Sequence, residues 1–177
     1  MNTMNKFDNK KSADSIETIL PIVLGFDPGT NITGWGVVIK GRPPRMLGCG
    51  AIRTRRETPM ETRINHIYSS VKELIQQYHP SAIAIEEPFY GVNAASAIAL
   101  VRIGGILMLA AEQESIPLAC YPPRTVKSSV VGRGSATKEQ VQYMIQRLLH
   151  LNSPPKPLDA SDALAVAWCH LSRHFSP

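Results

Sequence analysis

The stretch Pro21–Lys40, PIVLGFDPGTNITGWGVVIK, decides the fold. Its apolar run from Pro21 to Asp27 is short and closed by a turn, so it reads as a strand buried on both faces. Gly29-Thr30-Asn31 turns the chain, and Thr33–Lys40 returns as a second strand. A further turn at Gly41-Arg42-Pro43-Pro44 leads to a third strand over Met46–Thr54, completing an antiparallel meander. Downstream the period changes to that of a helix. Thr58-Pro59-Met60-Glu61 reads as a capping box with Thr58 as N-cap. Ile64, Ile67, Tyr68, Val71, Leu74, Ile75 and Tyr78 then share one face, and His79-Pro80 ends the helix. Ala82–Glu86 is a short buried strand. Asn93 is placed to cap an apolar helix running to about Gln113, and Pro117–Tyr121 makes a fifth strand. A loop with Gly132 and Gly134 precedes a helix carrying Val141, Met144, Ile145, Leu148 and Leu149. Pro154, Pro155 and Pro157 separate it from a last helix over Asp159–His174. The expected order is βββαβαβαα. That describes an α/β fold with a five-stranded mixed sheet, a meander extended by parallel strands and flanked by helices, without internal repeats.

A length of 177 residues and a hydrophobic fraction of 44% fit one domain with a real core, and exclude disordered and collagen-like chains. Residues 1–18 are polar and read as a mobile arm, leaving 19–177 as the single domain. The net charge is +5, and the excess is local. Seven basic residues against two acidic lie between Lys40 and Arg63, and five against one between Tyr121 and His150. Such patches point to a polyanionic partner, with nucleic acid first. Cys49, Cys120 and Cys169 are odd in number and widely spaced, which argues against a disulfide framework and for a reducing compartment. The apolar stretch Ala94–Ala111 contains Arg102 and Gly104-Gly105, so it reads as a buried helix of a cytoplasmic protein, not a membrane span.

Four carboxylates stand where this fold would bring them together. Asp27 ends the first strand and Glu86 the fourth, at the carboxyl ends where open α/β sheets bind ligands. Asp27 is in phase with Gly25 and Val23, and Glu86 with Ala84 and Ala82, so small residues behind both acids leave room for a close-packed helix. Asp159 and Asp162 are three apart at the start of the last helix and share a face. Singly, each has a plainer reading: Asp159 as an N-cap, Asp27 as a turn former, Glu86 as a solvated strand end. Together they point to a divalent metal site, because mutual repulsion otherwise penalises ionisation. Carboxylate donors suit Mg²⁺, with Mn²⁺ as a substitute, and not zinc. Two such ions would activate a water and stabilise the leaving oxygen in phosphodiester hydrolysis.

GFDPGTNITGWGVV, AIAIEEPFYGVNAASA, PPRTVKSSVVGRGSATKEQVQ and LDASDALAVA resemble, in order, the motifs of RuvC-type Holliday junction resolvases. The resemblance covers Ile22 to Trp168. It implies an RNase H-like fold, a homodimer, Mg²⁺-dependent cleavage, and a four-way DNA junction as substrate during recombination and repair. It also implies a branch-migration helicase complex of the RuvA–RuvB type as helper. The family's metal-binding acids fall on Asp27, Glu86, Asp159 and Asp162. Glu87 stands where the family usually has glutamine, and Val92 where it often has a basic residue.

The DNA-facing candidates follow. Phe89-Tyr90 begins a loop and offers an aromatic for base stacking; the resemblance puts an aromatic matching Phe89 against a base near the crossover. Arg124, Lys127, Arg133 and Lys138 punctuate a glycine-bearing segment suited to phosphate contact, and the resemblance makes Lys127 and Lys138 necessary for activity. Arg53, Arg55 and Arg56 read as solvated surface, with DNA contact as the weaker alternative. Gly104-Gly105 reads as a site of close helix packing, which the resemblance would place at the dimer interface that this apolar helix helps build, and Trp168, His170 and His174 read as packing and solvent-facing residues. Three rivals stay open at this stage: an RNase H-like nuclease acting on RNA or hybrid, a junction binder without catalysis, and a nucleotide-binding protein of the actin–sugar kinase type. The last needs two domains closing on ATP, more than 177 residues hold.

Overall fold

The computed structural model describes residues 20–88 and 94–175. The arm expected over residues 1–18 lies outside the described residues, as do Phe89, Tyr90, Val92 and Asn93.

The elements are β1 (Ile22–Asp27), β2 (Ile32–Ile39), β3 (Arg45–Arg53), α1 (Met60–Tyr78), β4 (Ala82–Glu86), α2 (Ala94–Gln113), β5 (Leu118–Tyr121), α3 (Pro123–Val131), α4 (Lys138–Leu148) and α5 (Leu158–His174). The strands form one sheet in the order β3-β2-β1-β4-β5. β1 pairs antiparallel with β2 and parallel with β4, and β4 pairs parallel with β5. The meander and the parallel extension are both as the sequence predicts.

Strand alternation divides the core in two. Leu24, Phe26, Val37, Ile83 and Ile85 face α1 and α2, where they meet Ile67, Val71, Ile103 and Leu107. Val23, Val38 and Ala84 face α3, α4 and α5 on the other side. α5 supplies the larger share there, with Ala160 and the run Ala163–Ala167 fully buried. It lies almost backbone to backbone on a lane of glycines. A β-carbon built at Gly25 would overlap the Ala163 carbonyl oxygen and stand 2.6 Å from the Ala167 nitrogen. One at Gly36 would stand 2.8 Å from the Leu164 nitrogen, and one at Gly34 would overlap the Asp159 carbonyl oxygen. Gly25 pairs with Gly36 and Asp27 with Gly34, so the lane crosses the two central strands beside Asp27.

Four expectations change. The segment after β5 is a helix, α3, where the sequence reads as loop; Pro123 occupies its first turn, the one helical position that loses nothing by lacking an N–H. α1 is entered without a side-chain cap, with Pro59 in the N-cap position, so Thr58 and Glu61 form no capping box. The capping box lies instead at α4, where the Thr137 hydroxyl accepts from the Gln140 N–H at 3.3 Å and the Thr137 N–H donates to Gln140 Oε1 at 3.1 Å. Finally, α2 is not a buried helix. Ala99, Ile103, Leu107, Ala110 and Ala111 are buried, whereas Ile98, Val101, Met108 and Leu109 form an exposed apolar stripe, Val101 at 63%. Gly104 and Gly105 have nothing within 4 Å of where a β-carbon would stand, so they serve no close packing inside the described chain.

Candidate active site

Phe26 pairs with Ile85 across β1 and β4, so the next residues, Asp27 and Glu86, close two adjacent parallel strands side by side. The glycine lane seats the first turns of α5 over this edge, and both Asp159 and Asp162 belong to those turns. Pro157 is the N-cap of α5, so Asp159 is not one. Nor is Glu86 a solvated strand end. Burial, then repulsion from Asp27 and Asp162, pushes it up to about 8 against the opposing charges of Lys138 and Lys127. Asp27 is pushed up to about 7 by burial first and then Asp162, with Lys138 opposing and Asp159 adding to the rise. Burial also raises Asp162, which is 8% exposed, although Lys138 pulls the other way. The four acids therefore act on one another through a partly dry space.

The cation that reaches the acids comes from α4, distant in sequence. Lys138 Nζ donates to Asp162 Oδ2 at 2.6 Å. Burial alone would lower the Lys138 ammonium, but the Asp162 bond and the charges of Asp162, Asp27 and Asp159 raise it instead. Lys138 is the first residue of α4, directly after the Thr137 cap, so the capping box fixes the turn from which it reaches. Lys127 on α3 acts on Glu86 and Asp162 from the neighbouring side. Arg124, on the same helix, is exposed, as is Glu87 beyond β4. Arg53, at the end of β3, and Arg55 and Arg56 beyond it are exposed.

Among the described residues, no three His, Cys, Asp or Glu side chains close into a ready-made metal cage. The donor chemistry nonetheless fits a hard divalent cation, being carboxylate oxygen throughout, and such an ion would relieve the repulsion that raises Asp27 and Glu86. All three cysteines are free.

Sequence reasoning missed a polar network at the far end of α5. The Tyr121 hydroxyl bonds His170 Nδ1 at 2.8 Å and His174 Nε2 at 3.1 Å, and the two imidazoles stack at 4.5 Å. Burial and then His174 hold His170 down at about 4, so it is neutral. The paired positions 170 and 174, one turn apart on the terminal helix, were the available signal.

The sequence profile described as Crossover junction endodeoxyribonuclease RuvC matches residues 23–170. This chain belongs to the RuvC family. RuvC relatives from Desulforamulus reducens and Shewanella amazonensis are 43% and 44% identical to it. The first match covers 84% of this chain and 92% of the relative, the second 89% and 90%. The Thermus thermophilus RuvC structure aligns with a TM-score of 0.77 at 33% identity, covering 84% of this chain and 92% of that one. The same protein in complex with a Holliday junction substrate aligns at 0.80 and 34%, covering 85% and 92%. The yeast mitochondrial Holliday junction resolvase, 14% identical with a TM-score of 0.60, shares the fold. The fold is thus RNase H-like, and the chain is an enzyme of an endodeoxyribonuclease family. All four acids and both lysines lie inside the stretch matched by the RuvC profile.

Proposed function

We propose that the chain resolves four-way DNA junctions by paired, symmetric nicks in recombination and repair, using Mg²⁺ held by Asp27, Glu86, Asp159 and Asp162. The observation that carries this reading is the convergence of those acids. Two end adjacent parallel strands, two open the helix lying across them, and burial and repulsion hold Asp27 and Glu86 far above ordinary carboxylates. When bound, two Mg²⁺ ions would supply an activated water and charge stabilisation at the leaving oxygen, with Mn²⁺ as a substitute. The chain's own part is to hold and orient. Lys138 fixes the Asp162 carboxylate, Lys127 and Arg124 offer positive charge to the DNA backbone, and Phe89 and Tyr90 supply stacking surface at the crossover.

Two symmetric cuts need two sites, and a two-fold dimer is the simplest match to the substrate. The exposed stripe Ile98, Val101, Met108 and Leu109, with Gly104 and Gly105 bare beside it, supports α2 as the contact between copies. Residues 19–177 act as one nuclease domain behind a polar arm over 1–18, in the cytoplasm, with a branch-migration helicase complex of the RuvA–RuvB type as helper. A cleavage assay comparing four-way junction, RNA–DNA hybrid and plain duplex in Mg²⁺ tests this reading. Symmetric nicking of the junction is expected, and equal or faster cutting of hybrid would overturn it.

A further inference from the structure

Along α3, Arg124, Thr125, Ser128, Ser135 and Arg173 line an open cavity of about 790 Å³. No carboxylate lines it. Neither guanidinium belongs to an ion pair among the described residues, whose salt bridges are Lys72–Glu114 and Lys138–Asp162. The cavity is assembled from three separate segments. Arg124 and Ser128 stand one turn apart on α3, Ser135 comes from the loop before α4, and Arg173 from the last turn of α5. Gly134 closes the loop onto the helix: a β-carbon there would stand 3.2 Å from the Arg124 β-carbon and from its carbonyl oxygen. Arg173 lies beyond the stretch that the family profile matches, so nothing in the family assignment gives it a role.

Two unpaired guanidiniums converging with three hydroxyl donors make a site for a phosphate oxyanion, since guanidinium pairs with phosphate through charge-assisted, often bidentate hydrogen bonds. The cavity is wide and open to solvent, which suits the passing backbone of an extended polyanion better than an enclosed small anion. α3 also ties it to the acid site, because Lys127, on the adjoining face of the same helix, acts on Glu86 and Asp162. We propose that this cavity is a phosphodiester subsite. In it, Arg173 and Arg124, with the hydroxyls of Thr125, Ser128 and Ser135, hold non-bridging oxygens of a junction arm outside the scissile linkage. The subsite rests on the junction-resolving reading and adds Arg173 to the residues that track DNA.

The test is junction binding by the full chain in EDTA, where no strand is cut, as a function of salt. Arg173→Ala should flatten the log–log salt slope by about 0.9 for each duplex phosphate it ceases to neutralise, hence about 1.8 where both protomers engage. Arg173→Lys should keep most of the slope, since the charge remains on an exposed position where folding is not at issue. Junctions carrying one neutral methylphosphonate linkage at successive arm positions should then locate the subsite, at the linkage that weakens wild type and leaves Arg173→Ala unaffected. Equal slopes, with every neutral linkage affecting both proteins alike, would overturn the subsite. So would stabilisation of wild type by inorganic phosphate, lost in Arg173→Ala, with slopes still equal; that outcome would mark a free-anion site. Wild type that neither binds nor cuts junctions would instead overturn the junction-resolving reading beneath it.

Discussion

Asp27 and Glu86 are half-buried carboxylates placed where desolvation and repulsion make ionisation costly, and their energetics yield two expectations. Asp27→Asn, Glu86→Gln and Asp159→Asn should each reduce Mg²⁺-dependent nicking by more than the roughly 10–100-fold typical of losing a metal site's outer partners. Junction binding should persist or tighten as negative charge is removed. Near-normal nicking by any one variant would take that residue out of the site. The second expectation concerns pH. Because folding raises Asp27 to about 7 and Glu86 to about 8, both favour the fold while protonated. Their contribution is complete near pH 4 and is lost as pH rises through 7 and 8. His170, held at about 4, runs the other way and loses its contribution as pH falls below about 6.5, so the acids are read above that value. The metal-free protein should therefore melt at a lower temperature at pH 8.5 than at pH 6.5, and added Mg²⁺ should raise the melting temperature more at the higher pH. Asp27→Asn should shrink both differences. A pH-independent Mg²⁺ shift would count against metal binding at these acids. The candidate acids were legible in the sequence because each sits at an element boundary that the hydrophobic pattern reveals. Their partner Lys138 was legible as a basic residue, but its bond to Asp162 was not, since 24 positions separate them and only the fold closes that gap.

Helix α5 carries two of the acids, and its height above the sheet is set by atoms of the main chain. Gly25→Ala should cost about 1–3 kcal/mol by overpacking, because Ala163 and Ala167 have no flexible side chain to move aside. Its loss of nicking should exceed that of an equally destabilising change elsewhere in the core, and retention of full activity would mean that α5 tolerates displacement. At α4 the capping box plays the corresponding part for Lys138. Thr137→Ala should cost about 1 kcal/mol of stability and lower nicking at temperatures where the protein stays folded, as chemical denaturation and a cleavage assay would reveal. The two boxes also explain a misreading. Thr58-Pro59-Met60-Glu61 has the right letters, but Pro59 has no N–H and takes the cap position itself, so the Thr58 hydroxyl is one residue out of place. Thr137-Lys138-Glu139-Gln140 has the same spacing with every donor intact. α3 was obscured by Pro122-Pro123, which reads as punctuation although the second proline is a legitimate first helical residue.

For the molecule as a whole, the mixed sheet, an antiparallel meander extended by parallel strands, followed from the sequence, because period-2 and period-3.6 patterns report on neighbours that every copy of the chain carries within itself. α2 was only half legible, for the converse reason. Its pattern is apolar on both sides, and sequence alone does not distinguish burial against the chain's own sheet from burial against something else. If its outer stripe joins two copies, Val101→Glu should convert dimer to monomer in sedimentation and uncouple the paired nicks, leaving single incisions. A Val101→Glu protein that stays dimeric would move the interface off α2. The glycine lane carries one further consequence, for how this protein is able to change. Every amino acid other than glycine has a β-carbon, so any missense mutation at Gly25, Gly34 or Gly36 inserts a shim between sheet and helix, whatever its polarity or size. The three positions are closed to gradual drift, and variation in the cutting centre has to enter through the loops and helix faces around it.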